Sequence, residues 1–307
     1  MKKILALALS LALVFALCAC GTTGESSGGK TSGNPVVKIG IFEPASGDNG
    51  AGGKQETLGI QYAHSVCPTV EIDGTTYDVE LVPVDNESSN EKAATAASTL
   101  VSAGASVVLG SYGSGVSIAA GPTFEAAGIP VIGVTCTNPQ VTEGNSHYFR
   151  ICFIDPFQGT VLANYAYNEL GVTKAYCLSK LGDDYSGGLV NYFVEAFTAL
   201  GGECIEETFP DGNSDFTSYV ANAKSAGCEV FLSPVSTEAA QLIIDQCSAQ
   251  GYEAPLLAGD LSNQPRTLII TAEFCPLRDE GEFYGKKLRE AANDVEIYRM
   301  KGALHAF

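Results

Sequence analysis

From residue 36 onward, short apolar runs alternate with longer stretches whose apolar residues recur every three or four positions. Val36–Phe42 reads as a strand and Lys54–Val66 as a helix. Tyr77–Val84 is a strand in which Asp78 and Glu80 alternate with Val79 and Leu81. Asn90–Ala103 is an Ala-rich helix and Ser106–Leu109 a short buried strand. Ser114–Ala127 is a helix that Gly128 closes, and Pro130–Val134 is the next strand. After an irregular stretch, Thr135–Asp155, the alternation resumes. It gives helix Phe157–Leu170, strand Lys174–Leu178, helix Tyr185–Leu200, strand Glu203–Phe209, helix Phe216–Ala226, strand Glu229–Leu232, helix Thr237–Gln250 and strand Pro255–Leu257. Strands of this length separated by helices imply right-handed βαβ units and parallel sheets. Two such series predict an α/β fold of two doubly wound parallel-sheet lobes, residues 36–156 and 157–260. In open α/β sheets ligands gather at the carboxyl ends of strands, so the loops after strands are where function is sought.

The two ends of the chain follow other rules. Lys2 and Lys3 precede an apolar run, Ile4 to Leu17, that is too short for a spanning helix. Leu17-Cys18-Ala19-Cys20 then forms a lipobox, which predicts a signal peptide over 1–19 and a lipid on Cys20. Residues 20–35, rich in Gly, Ser and Thr, form a flexible tether. The expected location is the extracytoplasmic face of the cell membrane, held there through the lipid anchor. At the other end, Arg150 is the one arginine of the first 265 residues, whereas Arg266, Arg278, Arg289 and Arg299 crowd the last 42. The pattern there is strand Thr267–Ala272, a charged helix Leu277–Ala292 and strand Val295–Met300. Residues 261–307 thus read as a βαβ fragment of different origin, joined near Asp260–Ser262 and leaving the second lobe incomplete.

Charge and rare residues narrow the chemistry. With 17 basic against 35 acidic residues the net charge is −18, and no basic cluster exists beyond Lys2–Lys3, which disfavours nucleic acid as a partner. The three histidines, His64, His147 and His305, lie far apart in sequence, and no metal-ligand spacing or phosphate-binding glycine loop is present. No metal and no cofactor are expected. Of ten cysteines, Cys18 leaves with the leader and Cys20 takes lipid. Most of the others sit in apolar runs such as Ile151-Cys152-Phe153 and are expected to be free thiols serving as small hydrophobes.

Several motifs occur in order: the opening strand Val36–Pro44, Asp85-Asn86, Gly110-Ser111-Tyr112-Gly113-Ser114, Thr135-Cys136-Thr137-Asn138-Pro139, Gly182-Asp183-Asp184-Tyr185 and Leu256-Leu257-Ala258-Gly259-Asp260. With the lipobox, they make residues 36 to about 260 resemble the type I periplasmic-binding-fold receptors of ABC importers, the leucine or branched-chain amino-acid group. The resemblance implies a receptor that closes two lobes on a small amino acid and delivers it to the permease subunits of an importer. Family members continue well past the Asp260 position. Residues 262–307 resemble instead the tail of α/β-hydrolases of the hormone-sensitive-lipase esterase group, on Leu268–Glu273, Pro276–Gly281 and Gly302-Ala303-Leu304-His305.

An amino-acid zwitterion needs donors for its carboxylate and acceptors for its ammonium. Ser114 opens the helix after the third strand, where its hydroxyl and the free N–H groups of that helix end can cradle a carboxylate; alternatively it only caps the helix. Gly113 lets backbone approach the ligand. The resemblance implies a backbone carbonyl and a hydroxyl from Thr135 and Thr137, which otherwise read as turn residues. It also implies that Asp260 faces the ammonium and that Tyr185 closes over the ligand, with Tyr112 as a wall. The Gly-rich loop Ser46–Gly53 is expected to line the side-chain pocket. An esterase needs a nucleophile, an acid and a base. His305 stands at the base position, but Cys275 replaces the usual acid and no G-x-S-x-G occurs, so no enzyme activity is expected. An esterase-related fragment or a non-functional chimera remain the alternative readings.

Overall fold

The computed structural model describes residues 33–257 together with strands Arg266–Phe274 and Asp294–Leu304. Cys20, Asp260, Cys275 and His305 lie outside the described residues, as do the expected signal peptide and the helix expected at Leu277–Ala292.

The first lobe is built on a six-stranded sheet in the order β2-β3-β1-β4-β5-β6. Its strands are β1 (Val36–Glu43), β2 (Thr69–Ile72), β3 (Thr75–Asp85), β4 (Val107–Leu109), β5 (Val131–Gly133) and β6 (Tyr148–Arg150). The second lobe carries a four-stranded parallel sheet, β10-β9-β7-β8. Its members are β7 (Lys174–Lys180), β8 (Glu203–Phe209), β9 (Val230–Leu232) and β10 (Leu256–Leu257). The expected α/β class with two parallel-sheet lobes is what the chain adopts. Beyond them, β11 (Arg266–Phe274) and β12 (Asp294–Leu304) pair in parallel as a separate two-stranded sheet.

Three departures have clear physical causes. The first sheet is not wholly parallel, because β2 pairs antiparallel with β3 around Asp73-Gly74, both at positive φ. An Asp-Gly pair suits the tight hairpin turn whose twist matches its strands. The irregular stretch after β5 holds the three-residue strand β6, parallel to β5 and too short to leave a periodicity. The first helix, α1 (Gly50–Val66), starts four residues before the expected Lys54, within a glycine run that propensity counts against.

The remaining helices are α2 (Asn90–Ser102), α3 (Ser114–Ala127), α4 (Asp155–Asn164), α5 (Asp184–Ala199), α6 (Thr217–Ser225) and α7 (Thr237–Ala249). Three show a simple reason for their place. In α2 the buried side chains are Ala93, Ala96, Ala97 and Leu100, a narrow stripe that lets the helix lie close on the sheet. Helix α3 ends on Gly128 in the left-handed conformation, as the sequence predicts. Asp183 caps α5 by accepting from Ser186 N at 2.8 Å.

Alternation along β7 shows how the second sheet is buried on both faces. Tyr176 and Leu178 point into one core with Phe216, Val220 and Phe231, whereas Ala175 and Cys177 point into the other with Phe193, Phe197 and Val230. The first lobe packs Phe42 edge-to-face on Phe124, with ring centroids 5.5 Å apart, above Leu100, Val108 and Val131. The described cysteines are free thiols, several of them buried in these cores. Among the described residues no helix is long and apolar enough to cross a membrane.

Candidate binding cleft between the lobes

The carboxyl ends of β1, β4 and β5 in one lobe and of β7 and β9 in the other converge on a cavity of about 610 Å³. Each wall is fixed by side chains that hold loops in place. Asp85, at the end of β3, accepts from Ala45 N at 2.8 Å, Ser46 Oγ at 2.7 Å and Glu87 N at 2.8 Å, pinning the loop after β1. Asn49 N donates to Ser88 Oγ at 3.0 Å, which places Asp48, Asn49 and Gly52 on the cavity wall. Asn86 donates to Phe42 O and to Ser111 Oγ, tying the loop after β4 to the end of β1.

Ser114 is the first residue of α3 and is almost fully buried on the cavity wall. It does not cap its own helix. Gly113 occupies the cap position, and no side chain satisfies the N–H groups of the first turn there. Ser114 Oγ instead accepts from Asn138 N at 3.2 Å, joining α3 to the loop after β5. That loop is held by Arg150, which donates to Cys136 O, Asn138 O, Pro139 O and Thr142 Oγ1 at 2.8–3.1 Å. A guanidinium spreads five donors over a fixed plane, so one residue organises the segment carrying Thr135 and Thr137. Both threonines line the cavity. Thr137 is buried and its Oγ1 has no hydrogen-bond partner, whereas Thr135 Oγ1 donates to Glu56.

The second lobe contributes Tyr185 from the first turn of α5, with Gln158, Val235 and Glu238 on the same wall. Among the described residues, polar contacts that join the lobes across the cleft include the pairing of Lys180 with Asp48 and the donation from Asn138 Nδ2 to Asp184 O at 2.8 Å. Lys180 also meets Asp211 of its own lobe at 2.6 Å. Tyr112, Gly113, Ser114, Thr135, Thr137 and Tyr185, six of the seven ligand-contact residues expected from sequence, therefore share one cavity; the seventh, Asp260, lies outside the described residues.

The electrostatics are set by burial. Asp155, at the start of α4, is wholly buried with neither carboxylate oxygen hydrogen-bonded. Desolvation raises its pKa to about 6, and the nearby Thr137 hydroxyl and Arg150 oppose the rise without closing a hydrogen bond to it. Burial, more than any neighbour, pushes the Tyr185 phenol up, so it stays a neutral donor. Glu43, at the end of β1, accepts from Tyr112 N at 2.7 Å and is pushed up to about 10, first by burial and then by the charge of Glu56. Sequence reasoning missed Glu43, Glu56, Lys180 and Asp155. For Glu43 a signal existed, since an acid directly follows the apolar run Ile39-Gly40-Ile41-Phe42 where a strand enters the cleft. The other three had none. Among the described residues no cluster of His, Cys, Asp and Glu suited to a metal ion occurs.

The cavity thus offers hydroxyls, unsatisfied helix-end N–H groups and carboxylates, a set that grips a small zwitterion by hydrogen bonds. Comparison with known proteins agrees with such a cleft. Residues 36–267 match the family described as "Periplasmic binding protein". Leu/Ile/Val-binding protein homolog 1 of Brucella suis is 30% identical over 315 residues, covering 98% of this chain and 81% of that protein. The crystal structure of a leucine binding protein, LivK, of Thermotoga maritima superposes with a TM-score of 0.70 at 34% identity, over 75% of this chain and 65% of that one. The branched-chain amino acid transporter substrate binding protein LivJ of Streptococcus pneumoniae, solved with isoleucine, gives a TM-score of 0.66 at 30% identity. It covers 73% of this chain and 64% of that one, so the chain spans slightly less than two thirds of the length of these solved relatives. A separate match, 46% identical over 54 residues, is to an arylesterase of Saccharolobus solfataricus and covers 18% of each chain.

Proposed function

Since this chain belongs to the periplasmic binding protein family, we propose that it is a receptor that captures a branched-chain amino acid between its lobes and passes it to the permease subunits of an ABC importer. The family is one of binding proteins and not of enzymes. The lipobox supports a lipid on Cys20 and work at the extracytoplasmic face of the membrane, on a tether of residues 20–35. The lobes span 36–156 and 157–260, followed by the hydrolase-like segment 261–307.

One observation carries the reading: hydroxyls of Ser114 and Thr137 and the uncapped end of α3 in one lobe face Tyr185 of the other across a single cavity. The ligand carboxylate sits on the α3 terminus, taking the Ser114 hydroxyl, adjacent N–H groups and the free Thr137 hydroxyl. The ammonium lies toward Thr135, whose own hydroxyl is spent on Glu56 and whose carbonyl is left to accept, and toward Asp260. Tyr185 closes over the ligand as the lobes come together, with Tyr112 as a wall and Gly113 admitting close approach. The motion is hinge closure without covalent chemistry. Chemical relatives of the ligand set the test. Titration calorimetry of the mature chain with the twenty amino acids is expected to give one site selective for leucine, isoleucine or valine; a folded protein that binds none of the twenty refutes the reading. Ser114→Ala removes one hydrogen bond to a charged carboxylate and is expected to weaken binding by about 1.5 kcal/mol, roughly tenfold in Kd, together with a small drop in melting temperature from the lost Asn138 N–H bond.

A further inference from the structure

We propose that the Glu43–Glu56 carboxyl pair makes this cleft select ligands carrying an ammonium over otherwise identical plain carboxylates, with Glu56 acting as a positioning charge behind the wall formed by Thr135 and Tyr112. The inference rests on the amino-acid reading above and deepens it by naming what the site rejects.

The geometry is specific. Glu43 is nearly fully buried at the end of β1, and its Oε2 accepts from Tyr112 N at 2.7 Å. Its other oxygen, Oε1, is buried and meets no donor, and the same holds for Glu56 Oε2. Glu56 Oε1 accepts from the Thr135 hydroxyl. The two carboxyls face each other, so two buried acceptors stand together with no donor between them. Two carboxylates in contact out of water cannot both ionise, and one proton shared between them supplies the missing hydrogen bond. Glu43, the more deeply buried, holds that proton, being pushed up to about 10 by burial and by its partner's charge. The pair therefore shares a single negative charge; burial raises the Glu56 carboxyl too, but the hydrogen bonds it receives from Glu43 and Thr135 hold that charge on its side.

Among the described residues no salt bridge reaches that charge. The described salt bridges pair Lys38, Lys92, His147, Lys174 and Lys180 with other acids, and Arg150 is spent on the loop after β5. Glu56 is coupled instead to cavity walls, through Thr135 by a hydrogen bond and to the Tyr112 phenol by charge. A buried charge without a counter-ion is costly, and an ammonium brought to Thr135 relieves that cost while a neutral group at the same place does not. Selectivity then arises from the penalty left when the amino group is missing.

The test compares L-leucine with 4-methylpentanoate, the same molecule without its amino group, by calorimetry and displacement on the mature chain. Wild type is expected to prefer leucine, and Glu56→Gln to shrink the ratio of the two affinities about tenfold or more by weakening leucine alone. Glu56→Asp, which keeps the charge, is expected to preserve most of the ratio, and Thr135→Val, which frees Glu56 from the wall, to reduce it by less than Glu56→Gln does. Melting curves confirm that each variant is folded, and Thr135→Val decides the matter should Glu56→Gln not fold. A ratio that stays constant in Glu56→Gln, or in Thr135→Val when only that variant folds, overturns this inference while leaving the amino-acid reading intact. Wild type that binds neither compound refutes the reading and the inference with it.

Discussion

Gly110→Ala is expected to destabilise the first lobe by about 4 kcal/mol, reading out as a large drop in the urea midpoint and a loss of ligand binding. Gly110 has φ +118°, a conformation L side chains rarely adopt, and a Cβ there falls 2.3 Å from Phe42 O and 2.5 Å from Glu43 Oε1. Neither neighbour can retreat. Phe42 O belongs to the central strand β1, and the Glu43 carboxyl is held by Tyr112 N. Gly110 itself is fixed on both sides, donating its N–H to Ile132 O at 3.0 Å and accepting from Tyr148 Oη at 2.8 Å. The strain therefore passes into the loop that launches α3 and displaces Ser114. Gly59→Ala is the matching control: it lies within α1 with nothing within 4 Å of the added methyl, and is expected to stabilise by about 0.5–1 kcal/mol.

Asp155→Asn is expected to raise stability at pH 7 by about 3 kcal/mol, a gain that disappears toward pH 4. The sign follows from the folded pKa of about 6 lying above the ordinary value of 3.8. Between those two values the folded protein keeps a proton that the unfolded chain releases. Stability therefore falls as pH rises through that window and stays at its lower level above about 6. Below 3.8 both states are protonated and the penalty is absent. Asparagine keeps the shape without the charge, so the slope of stability against pH between 4 and 6 should flatten in the variant. Urea titrations at pH 4 and pH 7 check this, and an equal change at both values contradicts the assignment.

The wild-type Asp155 carries this penalty at the start of α4, directly beneath the loop that presents Thr137, to which its N–H donates at 3.0 Å. An unsatisfied carboxylate and an unsatisfied threonine hydroxyl in one buried corner mark the place where stability gives way to the needs of the cleft.

Much of this was legible from sequence because the relevant signals are local. Strand and helix alternation along the chain needs only the spacing of apolar residues, and it put Ser114 and Tyr185 at helix starts and Thr135 in a loop, all following the carboxyl ends of strands. What stayed hidden depends on contacts distant in sequence. Glu56 looks like an ordinary exposed residue of a charged helix until Thr135, 79 positions away, is brought onto it. Lys180 meets Asp48 across 132 positions, and no pattern in either neighbourhood announces the pair. Hairpin β2–β3 was readable in principle from Asp73-Gly74, yet the four-residue strand Thr69–Ile72 is short and exposed along its whole length, so it lacks the buried face that makes a strand conspicuous. The role of Ser114 is a further case: a serine at a helix start suggests a cap, whereas here the glycine before it takes that position and the hydroxyl turns to Asn138.

The most direct test of the whole account is a structure of the mature chain determined with L-leucine present. The expected result is one leucine in the cavity between the lobes, its carboxylate within hydrogen-bonding distance of Ser114 and Thr137, its amino group toward Thr135, and Tyr185 over it. A cleft left empty at saturating leucine, or a leucine seated elsewhere on the protein, contradicts the account.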